Sequence, residues 1–154
     1  MKKILFVLLL SAFILPGCLK IKALNYYNKT FTEKIIDVID AQTFVTVNSR
    51  KNKNKIILYG IVAPKTYSAT GKNAKKMISE LIKGKKIRFT VKGIDDKNKL
   101  ISIAWLEDEK KSLNVLLLEK GYAKVYSDKC KLPECKEWIK AEQKARQQKL
   151  GMFK

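Results

Sequence analysis

The apolar positions fall into two rhythms along the chain. "EKIIDVID" (33–40) and "TFVTVNS" (43–49) read as strands, the second alternating through Phe44, Val45, Thr46 and Val47. The charged stretch "RKNKNK" (50–55) reads as a hairpin loop. It leads to a third run, "IILYGIV" (56–62), which Ala63-Pro64 stops. In "GKNAKKMISELIKG" (71–84) the rhythm changes: Ala74, Met77, Ile78, Leu81 and Ile82 recur at helical spacing, with lysines opposite. Thr70 is the expected N-cap and Gly84 the expected stop. Two more strand runs follow, "KKIRFTV" (85–91) and "KLISIAWL" (99–106), joined by a turn around Asp95, Asp96 and Asn98. "SLNVLLLEKG" (112–121) reads as a short, largely buried helix. The last helix is expected from Pro133, a favoured first-turn residue, to Leu150. Trp105 and Trp138 are expected in the core.

Five strands, one helix between the third and fourth and two helices after the fifth predict an α+β domain. Its centre is a small five-stranded barrel of the oligonucleotide-binding (OB) type with three packed helices.

The first residues do not belong to that pattern. Lys2-Lys3 precedes an unbroken apolar run, "ILFVLLLSAFIL" (4–15). The run is shorter than the roughly 20 residues of a membrane-spanning helix and suits a secretory leader. "LPGC" (Leu15 to Cys18) resembles the bacterial lipobox, with Pro16 departing from the usual small residue. The expectation is a signal peptide over 1–17, a lipidated Cys18 with a tether over 18–32, and a folded domain over 33–154. That chain would be exported and anchored in the cell envelope, since two or more acyl chains hold a protein stably to a membrane. Cleavage at an ordinary signal site, with Cys18 left free, is the alternative.

Of three cysteines, setting Cys18 aside leaves Cys130 and Cys135 in "CKLPEC". Export permits a disulfide there, worth roughly 2 kcal/mol in the chain-entropy model. A zinc pair is the rival, weakened because the chain has no histidine. The formal net charge is +19; without the leader's two lysines it is +17. Such an excess fits anionic partners, whether nucleic acid, lipid headgroups or acidic polymers. A solvated lysine surface accounts for part of it, because the lysines are spread rather than clustered.

The landmarks from about residue 33 to 154 resemble the staphylococcal-nuclease-like (thermonuclease) domain. "VIDAQTFVTV" looks like that family's first hairpin, and "LYGIVAPK" like its third strand and catalytic loop. "GKNAKKMISELIKGKKIRFTV" is similar to its first helix and fourth strand; "SIAWLED", "LNVLLLEKGYAKV" and "AEQKARQQKLGMF" match later landmarks in order. The cysteine pair followed by Trp138 looks like exported bacterial members. The resemblance implies calcium-dependent phosphodiester hydrolysis. In that chemistry aspartates hold the metal, a glutamate activates water, and two arginines meet the developing charge on phosphate.

This chain departs from the pattern at every carried position. Where Asp-Gly-Asp-Thr is expected it has Asp40, Ala41, Gln42 and Thr43, so Gln42 replaces a metal ligand. Ile57 stands for the first arginine, Val62 for an aspartate, Lys65 for the glutamate, and Ile101 (or Lys99, with a gap) for the second arginine. Asp37 and Asp40 lie three apart and are expected on opposite faces of a strand. Family-type catalysis is therefore expected to be absent, with no metal and no cofactor; calcium enters only if a divergent metal-dependent endonuclease is the right alternative.

Lys65 stands where an acid is expected. Lys55 is two residues before Ile57 and Lys99 two before Ile101, hence on the same strand faces. These lysines are candidates for holding an anion, against the reading that they are surface lysines and that Ile57 and Val62 fill a hole. Tyr126 lies near the family's base-stacking tyrosine, with a half-buried core role as its alternative. The expected function is that of a monomeric, lipid-anchored domain that binds nucleic acid or another polyanion without cutting it. An envelope-interaction lipoprotein, in which the basic surface meets lipid or an envelope partner, is a further alternative.

Overall fold

The computed structural model describes residues 25–154. The chain runs β1 (Thr30–Asp40), β2 (Thr43–Val47), β3 (Lys53–Leu58), β4 (Ile61–Val62), α1 (Ala69–Ile82), β5 (Lys86–Ile94), β6 (Leu100–Leu106), α2 (Leu113–Glu119), β7 (Lys124–Val125) and α3 (Cys135–Gln147), then a 3-10 turn over Gly151–Phe153. Five strands close into a barrel in the order β1-β2-β3-β6-β5. Neighbours are antiparallel except β3 and β6, whose parallel seam pairs Ile57 with Ile101. The expected OB-type barrel with packed helices is the architecture found.

The barrel interior is apolar where the alternation requires it. Ile35, Phe44, Ile56, Phe89 and Val91 are fully buried, each contributing roughly 1.5–3 kcal/mol of transfer free energy. Helix α1 sets Ala74, Ile78 and Ile82 against the barrel, with Met77 and Leu81 partly covered beside them. Gly84, at φ +79°, ends it and donates its N–H to Ile35 O at 3.0 Å. One end of the barrel is polar: Glu33 is buried and accepts from Thr46 Oγ1 (2.5 Å) and Asn54 Nδ2 (2.9 Å).

Several local expectations are corrected. The third run does not continue as one strand. Gly60, at φ +65°, breaks it, and Ile61–Val62 leaves the barrel to pair with β7. Part of the expected hairpin loop is strand, because Lys53 to Lys55 pair with Val47 to Val45. Ser68, not Thr70, caps α1: it is extended and its Oγ accepts from Gly71 N at 3.0 Å. Helix α3 is shorter than expected, starting at Cys135 and stopping at Gln147, just ahead of Lys149 at φ +53°. The barrel also takes in residues read as tether. Tyr26 packs on Phe31, Phe31 stacks on Phe89, and Asn28 N donates to Val91 O. Trp138 is core, but Trp105 is only partly buried and carries the Arg88 guanidinium 4.5 Å above its ring.

Candidate functional site

Three loops converge beside the parallel seam. The β1–β2 turn is closed by Asp40 Oδ1, which accepts from Gln42 N at 2.9 Å. Gln42 then reaches across, and its Oε1 accepts the Ala63 N–H at 2.5 Å, tying the turn to the segment after β4. Because a backbone N–H fixes which end of the carboxamide is oxygen, Gln42 Nε2 is left as a donor. The Tyr59–Gly60 turn is held from three sides. Asn114 Nδ2 donates to Tyr59 O (2.9 Å), Tyr126 N donates to Gly60 O (2.8 Å), and Tyr59 OH accepts from Lys131 N (2.9 Å).

Between these loops lies a cleft of about 470 Å³, lined by Gln42, Ile57, Val62, Ile101 and Tyr126, among others. The structure thus gathers in one place four of the five positions at which the resemblance places catalytic groups. Lys65, the fifth, is exposed and is not part of the lining; its carbonyl receives Ser68 N and Ser68 Oγ ahead of α1. Ile57 and Ile101 are half-buried, and Val62 and Tyr126 are 42% and 43% exposed. The aliphatic replacements therefore line an open cleft and do not plug a hole. Tyr126 stands on its edge and not in the core.

Lys55 and Lys99 do not reach this cleft. They line a neighbouring depression of about 210 Å³ with Lys97, Asp40 and Thr43. Lys99 is also paired with Asp95 at 3.1 Å. Sequence reasoning missed three residues of the cleft: Lys92, Asp95 and Lys129. Lys92 sits where β5 slips register between Val91 and Gly93, so alternation gives no sign of its side. Its ammonium is held by Asn28 Oδ1 at 3.0 Å. Lys129 lies just before the cysteine pair in the loop after β7, where no periodicity applies.

Asp95 is the one carboxylate of the cleft, and it is committed. Its Oδ1 accepts from Lys97 N (3.0 Å) and Lys99 N (2.7 Å). Burial pushes its pKa up, but these N–H groups and the Lys99 ammonium outweigh that and hold the carboxyl below its usual range. Asp37 and Asp40 are each engaged locally: Asp37 Oδ1 accepts from Val38 N and Asp40 Oδ1 from Gln42 N, both at 2.9 Å, and among the described residues no three His, Cys, Asp or Glu side chains cluster. Calcium takes about six to eight oxygen ligands, with carboxylates prominent. A carboxamide whose oxygen is taken and a carboxylate held by a turn do not fit that ion.

Cys130 and Cys135 form a disulfide, with Cα atoms 5.8 Å apart; both are buried, and Cys130 packs against the Gly60 turn, which Trp138 also covers. The apolar leader and Cys18 lie outside the described residues. Among those described, no helix is long and apolar enough to cross a membrane.

A family model described as "Staphylococcal nuclease homologue" matches residues 55–154. The match takes in Ile57, Val62, Lys65 and Ile101 and begins after Gln42. A protein of Haemophilus influenzae described as an uncharacterized endonuclease is 24% identical over 122 residues, which is 79% of this chain and 66% of that relative's own length.

Proposed function

The chain belongs to the staphylococcal nuclease family, and from that premise we propose that it is a lipid-anchored, exported, monomeric member that binds nucleic acid through this cleft without hydrolysing it. The observation that carries the reading is the donor set of the cleft. Where the family's chemistry needs carboxylates for a metal and guanidinium groups for phosphate, the side chains are Gln42, Ile57, Val62 and Ile101. Losing one such electrostatic group costs roughly a hundredfold or more in rate, and groups that act together fail together. Binding needs none of them: it needs positive charge, which the chain without its leader still has at +17. Export and anchoring through Cys18 are supported by the leader pattern, the Leu15-to-Cys18 motif and the disulfide.

The test uses the full chain in detergent with labelled single-stranded DNA, with calcium and with a chelator, on denaturing and native gels. Intact DNA with a native-gel shift is the expected result. Calcium-dependent fragments would overturn the reading and make the chain an endonuclease with other ligands, the activity that its Haemophilus influenzae relative's description names. Intact and unshifted DNA, with salt-sensitive binding to anionic vesicles instead, would move the function to the envelope surface.

A further inference from the structure

We propose that the outer face of α3, built on Lys136, Lys140 and Lys144 with Ile139 beside them, docks on the anionic lipid headgroups of the membrane to which Cys18 tethers the domain. The proposal rests on the anchored reading above and adds the surface by which the domain lies on its membrane.

The three lysines are one helical turn apart and all exposed, so they form a single row. Like charges at that spacing cost a helix stability. Nothing within the described residues offsets the cost, because none of the three is in an ion pair. Glu142 is turned inward, where it accepts from Val125 N and pairs with Arg146. Glu137 makes no ion pair with the row. On α1 the comparable exposed row differs, since Lys72 and Lys76 are followed one turn later by Glu80. An anionic surface outside the protein would turn the uncompensated row of α3 into a gain.

Ile139 decides which anion. It is 43% exposed, one residue before Lys140 and three after Lys136. An aliphatic group among cations gains nothing from a row of phosphates on a nucleic acid. At a bilayer it enters the boundary between headgroups and acyl chains while the lysines stay among the headgroups. The tether sets the distance. Six residues separate Cys18 from Asn25, and fully extended they reach at most about 25 Å. A domain held that near a surface needs only a weak further attraction to lie on it. The face also leaves the cleft free. Trp138 is the α3 side chain beside the Gly60 turn. Lys136 and Lys140 lie about 160° round the helix from it, and Lys144 about 120°.

The experiment uses the full chain as a bacterial host processes it, with Ile139→Cys labelled by an environment-sensitive dye. It is reconstituted in vesicles of phosphatidylcholine alone and of phosphatidylcholine mixed with phosphatidylglycerol. A blue-shifted emission on the anionic vesicles, absent on the neutral ones and reversed by salt, is the expected result. Replacing Lys136, Lys140 and Lys144 together by glutamine is expected to lower the docked-to-undocked ratio about a hundredfold, the scale of three lysines at a charged surface. Flotation with the vesicles is expected to stay unchanged in that variant, and the same dye on Lys72→Cys of α1 is expected to remain in water. Equal emission on both lipids, a shift that survives the triple replacement, or an equal shift at position 72 would overturn the face and leave the anchor standing. A shift produced by oligo(dT) and not by anionic vesicles would overturn it in favour of nucleic acid. A parent chain that takes up the dye at Cys18, or that floats with neither vesicle, would overturn the anchored reading and the proposal with it.

Discussion

Gly60 and Cys130 are packed so closely that a β-carbon on Gly60 would lie 2.7 Å from the Cys130 sulfur and 3.2 Å from the Trp138 ring. The disulfide is thus the bed on which the cleft's central turn rests. Gly60 also has φ +65°, which costs a residue with a β-carbon roughly 1–2 kcal/mol before any clash. Overpacking adds about 1–3 kcal/mol more. Gly60→Ala is therefore expected to destabilise the protein by about 2–5 kcal/mol, read as a lower urea midpoint with an unchanged slope. Wild-type stability in the variant would mean that the loop carrying the cysteines yields freely, and that the disulfide does not shape the site.

How far the site was legible follows from the same turn. The five barrel strands, the buried stripe of α1 and the cysteine pair were readable because each rests on local spacing. The lining at Gln42, Ile57, Val62 and Ile101 was readable through the family resemblance, since the landmarks flanking each position are intact. Lys92 and Lys129 were not. One sits at a register slip and the other in an aperiodic loop, so nothing near them in sequence says which way they face. The lysines two residues before Ile57 and Ile101 misled for a related reason: two residues along a strand is about 6–7 Å, enough to move a side chain into the next depression.

Glu33 is a second case the sequence concealed, reading as the polar start of a strand. It is 5% exposed and holds both Thr46 and Asn54. Glu33→Ala would remove the acceptor for two buried or half-buried donors, a loss of about 2–3 kcal/mol. Glu33→Gln keeps an acceptor and is expected to lose less. Chemical denaturation of the two variants checks the order; an alanine variant as stable as the glutamine variant would remove this network from the account.

Asp95 gives a pH dependence whose sign is fixed. Its carboxyl titrates lower in the folded state than in the unfolded chain, where it sits near the ordinary value of about 4. Its contribution is therefore fully present above that value and is lost as pH falls through the lower, folded one. Asp95→Asn is expected to be less stable than the parent at pH 7, with the gap closing only below about pH 4. Thermal unfolding at pH 7 and pH 3 distinguishes this from a gap that persists at both values, which would assign the loss to turn geometry rather than to charge.

The salt dependence of DNA binding separates the lysines by whether they are already engaged. Lys99 is already paired with the Asp95 carboxylate, so it contributes less than a full charge when a phosphate arrives, whereas Lys92 is hydrogen-bonded only to the neutral Asn28 and keeps its charge. Lys55, Lys97 and Lys129 line the two depressions and have no acidic partner among the described residues. On single strands each neutralised phosphate contributes about 0.7 to the slope of log affinity against log salt. Replacing Lys55, Lys97 and Lys129 together by glutamine is thus expected to flatten that slope by about 2. Lys65→Gln, at a position outside both depressions, is expected to leave it unchanged. Titrations at several salt concentrations read both numbers. A slope that responds to Lys65 and not to the three would place the strand across the α1 side of the barrel instead, and would detach the cleft from the path of the polymer.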